Sequence, residues 1–182
     1  MRVLGMGAKP LLGLALAVAC FGHSDFMPCV DVREYGAVGD GLIDDSSAIQ
    51  RALDSAGSAG GCVAFTNGTF ASNDISLRSN ISIMISSDAI LSSIPGITTK
   101  ALLHGVGVHD IEIFGGGTVF GRASEYIDYF DPLYERIAPL EIPRPKMVLM
   151  QNSSNIHVHD LLIRNGSFWH VHFQVCLSGV VQ

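Results

Sequence analysis

From Gly61 onward, apolar residues fall in short alternating runs separated by Gly, Asn or Ser, a period-two pattern that predicts strands. Lined up, the runs form triplets. Ile75–Leu77, Ile81–Ile85 and Ala89–Leu91 make one set, and Leu102-Leu103, Ile111–Phe114 and Thr118–Phe120 the next. Met147–Met150, Ile156–Val158 and Leu161–Ile163 make a third, and His170–Val175 opens a fourth. Asn80-Ile81-Ser82-Ile83, His109-Asp110-Ile111-Glu112-Ile113 and Asn155-Ile156-His157-Val158 are self-similar. The sets begin near Ile75, Leu102, Val148 and Val171, and an insertion, Arg122 to Lys146, accounts for the long interval. Without insertions the spacing is roughly 20–30 residues, as expected when one small unit stacks on the next. Three short strands per repeat predict an all-β fold, a right-handed parallel β-helix of about three to four coils over residues 61–182. Alternate Ile, Leu and Val point inward, and Asn or Gly takes the left-handed corners. A sandwich needs longer strands joined by tight hairpins, for which only Asn67-Gly68 and Asn165-Gly166 qualify. A βαβ sheet needs a helix between every pair of strands.

One helix is predicted, from Ser46 to Ala56, in an N-terminal arm and cap covering residues 21–60. Ala48, Ile49, Ala52, Leu53 and Ala56 share one face, Asp44 or Asp45 caps its N-terminus, and Gly57 with Gly60-Gly61 stops it. Asp40, Asp44 and Asp45 also present oxygens suited to calcium. The twelve-residue calcium-loop spacing and its terminal Glu do not occur, which favours capping and turn formation.

Composition changes the picture in three ways. The 182 residues are 48% apolar, enough for one domain with a core. Part of that figure is a leader: Arg2 and Lys9 precede an apolar run, Leu11 to Ala19, and Ala17-Val18-Ala19 has a signal-peptidase pattern, so residues 1–20 are expected to be a signal peptide of a secreted, extracellular protein. A lipoprotein anchored at Cys20 is the weaker reading, and no other segment is long and apolar enough to span a membrane. Loss of Arg2 and Lys9 takes the formal charge from −6 to −8, which disfavours nucleic acid and anionic membranes as partners. An anionic polysaccharide would need local basic groups.

Three cysteines would remain after cleavage. Cys29 and Cys62 are the candidate disulfide, closing a loop worth about 3 kcal/mol in the chain-entropy model, and Cys176 has no evident partner. Asn67, Asn80, Asn152 and Asn165 head sequons and are candidate glycosylation sites.

The segment Arg33-Glu34-Tyr35-Gly36-Ala37-Val38-Gly39-Asp40-Gly41, continuing through Asp44-Asp45 to Gln50, resembles the N-terminal segment of the pectate-lyase superfamily, in which a helix covers the open end of the solenoid. Phe114-Gly115-Gly116-Gly117-Thr118-Val119-Phe120-Gly121, Arg144-Pro145 and Leu161 to His172, with Phe168-Trp169 and a following His, resemble segments of glycoside hydrolase family 28, the polygalacturonases and related pectinases. Phe120 stands where the family has Asp, and Gly166-Ser167 where it has Ser-Pro.

The resemblance implies inverting hydrolysis of pectic galacturonosyl linkages by carboxylates flanking the scissile bond. The family places these acids in Asn-Thr-Asp and Gly-Asp-Asp motifs, accompanied by Gly-His-Gly and Arg-Ile-Lys. None of the four motifs occurs in these 182 residues. No catalytic residue is therefore assigned, and the chain is expected to be the N-terminal portion of a pectin hydrolase, inactive alone. The alternative is a non-catalytic pectin-oligosaccharide binding or decoy protein.

His170, His172 and Arg144 are candidate substrate contacts, since the resemblance puts the two histidines on the strand class that lines the cleft. Trp169 offers a stacking face, although packing is the commoner role. His157 with His159, and His170 with His172, have same-face spacing, but without a third ligand outward polar positions are favoured over metal. Asp110 and Glu112 read as solvated outward acids, and Asp128 and Asp131 as loop or cleft wall. No cofactor is indicated. The expected partners are pectic polysaccharide or oligogalacturonide, with self-association through an open C-terminal end.

Overall fold

The computed structural model describes residues 29–57, 60–95, 100–131, 136–139 and 144–182, with the side chains of 127–131 and 136–139 left aside. The expected signal peptide and the region of Cys20 lie outside them.

The chain winds in repeated rungs of three strands. β1 (Val30–Asp31) and β2 (Asp40–Asp44) lead into α1 (Ser46–Gly57). Then follow β3 (Gly61–Phe65), β4 (Gly68–Ser72) and β5 (Ile75–Ser76); β6 (Ile81–Ile85), β7 (Ala89–Ser93) and β8 (Ala101–Val106); β9 (His109–Phe114) and β10 (Thr118–Phe120). An antiparallel hairpin of β11 (Ile127–Asp131) and β12 (Arg136–Pro139) interrupts the third rung before β13 (Lys146–Gln151) closes it. β14 (Ser154–Val158), β15 (Leu162–Arg164), β16 (Val171–Gln174) and β17 (Gly179–Val181) complete the order.

Corresponding strands stack in parallel into three faces: β1-β3-β6-β9-β14-β17, β2-β4-β7-β10-β15 and β5-β8-β13-β16. We call these the A, B and C faces. The fold is a three-sided parallel β-helix, right-handed as parallel crossovers are.

Register turns alternation into columns. Val63, Ile83, Ile113 and Val158 stack inside the A face, Phe70, Leu91, Val119 and Ile163 inside the B face, and Ile75, Leu103, Val148 and Val171 inside the C face. Most of these are fully buried, and they form one continuous core. Corners take left-handed conformations at Asn67, Asn80, Asp110, Asn152, Asn155, Asp160 and Asn165, where a short polar side chain tolerates positive φ. At the corner entering the A face, Asn155 donates to Asp110 one rung below.

The N-terminal end is sealed by α1, which follows β1 and β2 in the place where a C-face strand would lie. Ala48, Ile49, Ala52 and Leu53 are buried on the core. Gln50 imitates a strand: its amide donates to the Ser76 carbonyl at 3.0 Å and accepts from the Ser76 N–H at 2.9 Å. Ser46 Oγ accepts from the Asn73 N–H at 2.9 Å. Asp44 caps the helix through the Ser46 N–H. Asp45, 1% exposed, instead accepts the N–H groups of Val38 and Gly39 at 2.7 and 3.0 Å. Asp40 accepts from Leu42 and Ile43, whose N–H groups hold its carboxyl below the usual range. The three acids are thus engaged by backbone donors, and the turn they organise needs Gly39, where a Cβ would meet Arg33 and Phe70 side-chain atoms within 3 Å. A Cys29–Cys62 disulfide ties β1's start to β3, and Cys176 is free.

The arm differs from its sequence-based outline in one respect: β1 and β2 already belong to the A and B faces. β1 is two residues long and β2 is largely exposed, so neither shows a periodic pattern.

Asp45→Ala should lower unfolding free energy by about 3 kcal/mol, because two N–H groups lose a buried carboxylate. Urea unfolding checks this; a loss under about 0.5 kcal/mol would show that the turn does not depend on Asp45.

Candidate functional site

The outward positions of the C face form the column Ser76, His104, Leu149 and His172. Its last member lies beside the loop that links β15 to β16. There Trp169 stacks on the His172 ring, centroids 5.2 Å apart and planes 24° apart, and Phe168 meets Trp169 edge-on at 6.1 Å. Arg144 and Lys146, flanking the start of β13, hold their charges 5.1 and 5.2 Å from the Phe168 ring centre. Arg144 also donates to the Ser167 carbonyl at 3.1 Å. Arg144, Gly166, Ser167, Phe168 and Trp169 line an open groove of about 390 Å³.

Phe168 and Trp169 are 45% and 54% exposed, so both present faces to solvent in spite of their mutual contact. Among the described residues neither Arg144 nor Lys146 pairs with a carboxylate. Two uncompensated cations beside aromatic faces suit an anionic ligand with an apolar side, such as a carboxylated sugar. No carboxylate lines the groove among the described residues, so acid–base hydrolysis has no pair of groups there.

Arg144 and His172 thus converge on this site, while His170 turns away. Its Nε2 accepts the Gly166 N–H at 3.2 Å, and a Cβ on Gly166 would lie 2.4 Å from the His170 ring. His170 closes the loop, and residue 166 must be glycine to admit it. Lys146, Phe168 and Trp169 were not singled out as contacts by sequence pattern alone; a cation–aromatic cluster immediately flanking two strands of one face is the signal that would have found them.

The remaining candidates gather on the A face. Glu112 accepts from Ser82 at 3.1 Å and meets His159 Nε2 at 3.2 Å, and His159 Nδ1 lies 2.8 Å from Asp160. His157 faces Asn155 Oδ1 at 2.9 Å. Asp110 is held below the usual carboxylate range by Asn155 and then by His109. Each histidine has its own partner, and no group of three or more ligating side chains converges among the described residues. The side chains of Asp128 and Asp131 lie outside the described residues. Asn67, Asn80, Asn152 and Asn165 are all exposed, at φ of 40°, 60°, 51° and 54°.

Residues 29–110 match the family described as rhamnogalacturonase A/epimerase, pectate lyase-like. The chain has a polygalacturonase-like, pectate-lyase-superfamily fold over part of its length. A candidate glycosyl hydrolase from Parabacteroides merdae superposes with a TM-score of 0.71 at 20% identity, covering 85% of this chain and 72% of that one. A family 28 exopolygalacturonase from Yersinia enterocolitica gives 0.64 at 19% identity, with 82% and 37% coverage. The A-module of a mannuronan C-5 epimerase from Azotobacter vinelandii gives 0.66 at 19% identity, with 84% and 42% coverage. The chain thus spans well under half of the latter two proteins. No curated protein sequence matches it. At these identities the likeness establishes the pectate-lyase-type fold.

His159 supplies a pH prediction. Asp160, then Glu112, favour its charged form and raise its pKa above the ordinary 6.5. A raised folded-state pKa gives stability that is complete below the unfolded value and lost as pH rises through the folded one. Urea midpoints should therefore fall between about pH 6 and about pH 8 more in the parent than in His159→Gln. Parallel profiles would contradict this.

Proposed function

We propose that this chain is the pectin-binding portion of a polygalacturonase-like glycoside hydrolase, gripping galacturonate chains along the C face without turning them over by itself. The observation that carries the reading is the exposed Trp169–His172 stack beside unpaired Arg144 and Lys146. Trp169 takes the C–H face of a pyranose, and the two cations take its carboxylates. The uronate substrates named for the polygalacturonase and the mannuronan epimerase support this ligand class. The absence of the acid motifs from the 182 residues supports the lack of turnover.

The leader-like residues 1–20 support secretion, with the four sequons as glycan acceptors. Val175, Leu177, Val180 and Val181, exposed near the edges of β16 and β17, support self-association of the polypeptide. A non-catalytic pectin-binding or decoy role is the second reading, favoured by a groove that holds cations and aromatics but no acid.

Calorimetric titration with oligogalacturonate tests the binding. Arg144→Gln and Trp169→Ala should each weaken it by about tenfold. No heat at millimolar ligand would refute the proposal. Reducing-sugar release from polygalacturonate should stay at background; release abolished by a substitution within the chain would overturn the claim of inactivity.

A further inference from the structure

A second groove, of about 370 Å³, lies on the B face, a different side of the solenoid from Trp169. Its floor follows from the register. Thr69, Ile90, Thr118 and Leu162 stack in one outward column, and Ser92, Phe120 and Arg164 continue the next. One rim is the irregular stretch of β2 at Gly41–Ile43, where Leu42 is 88% exposed. The other is the single 3-10 turn Ala123–Glu125, entered through Arg122 at φ 51°.

The charges are unequal. Arg122 Nε is paired with Glu125 at 2.6 Å, whereas Arg164 lies 5.3 Å over the Phe120 ring centre with no carboxylate partner among the described residues. An exposed guanidinium held flat on an aromatic ring keeps its edge donors free for an incoming oxyanion. Threonine and serine hydroxyls on the floor suit a polyhydroxylated ligand, and Ile90 and Leu162 suit its C–H faces. Glu125 disfavours a dianion such as a phosphate ester. The volume lies in the range of about 300–1,000 Å³ usual for small-ligand sites.

We infer that the B-face groove is a second carbohydrate site, binding a carboxylated oligosaccharide through Arg164 independently of the Arg144–Trp169 site. A chain with two such faces can hold two polysaccharide strands, or two stretches of one, and gains avidity without a tighter single site.

Amide NMR of the full chain during titration with trigalacturonate separates the faces. The expected result is shifts at Thr69, Ile90, Thr118 and Leu162 as well as around Trp169. Arg164→Gln should weaken the B-face response by about tenfold and leave the Trp169 response unchanged, while Arg144→Gln does the reverse. Arg164→Lys, which keeps the charge without the fork, should recover part of the loss. Neutral galactotriose should bind the B face about tenfold more weakly than the acid. Shifts confined to the Trp169 side, an unaffected Arg164→Gln, equal binding of the neutral sugar, or equal occupancy by inorganic phosphate would each overturn the inference. Shifts confined to the B face would instead remove the C-face proposal and leave this one standing.

Discussion

Rung-on-rung hydrogen bonding is the constraint on which the rest of the structure depends. Each strand pairs only with its counterparts one turn before and after, so every backbone group is satisfied by a neighbour that follows the same path. That requirement stacks identical positions into straight columns. A slip of one residue would send Ile83 outward and Glu112 inward, so the buried aliphatic columns and the ladder enforce each other. The terminal rung is where such a ladder is exposed. α1 resolves this at the N-terminal end by side-chain mimicry, with the Gln50 amide and the Ser46 hydroxyl standing in for strand backbone.

The same columns make binding surfaces. Outward side chains one rung apart form a regular series, a geometry matched to polymers with their own short repeat. Departures from the plain rung generate chemistry. The insertion after β10 leaves Arg144 and Lys146 at the edge of the C face, next to the aromatic loop that His170 closes. The irregular β2 and the 3-10 turn at Ala123 raise walls on the B face.

Most of the architecture was legible in the sequence because burial in this fold is local and repetitive. The triplets from Ile75 to Ile163 fall on the observed strands within a few residues, since alternate Ile, Leu and Val have only one inside to face. The helix was legible from Ala48, Ile49, Ala52 and Leu53, and ends one residue later than its glycine stop suggested. β1 and β2 were not legible. They are anchored by pairing, by the Cys29–Cys62 disulfide and by the Asp45 clamp rather than by alternating burial. The site was legible only in part: Arg144 and His172 stand where they were expected, but the turning of His170 onto Gly166 and the Trp169–His172 stack depend on loop geometry that spacing does not encode.

What the fold contributes to function is therefore a rigid scaffold on which an acidic chain concentrates a few uncompensated cations beside aromatic rings. Trp169 is the sole tryptophan, so its emission reports on the C-face groove directly. A fluorescence titration of the 182-residue protein with trigalacturonate should give a saturable change that rising salt weakens and that galactotriose fails to reproduce. An emission spectrum unmoved by millimolar trigalacturonate would contradict the account at its centre.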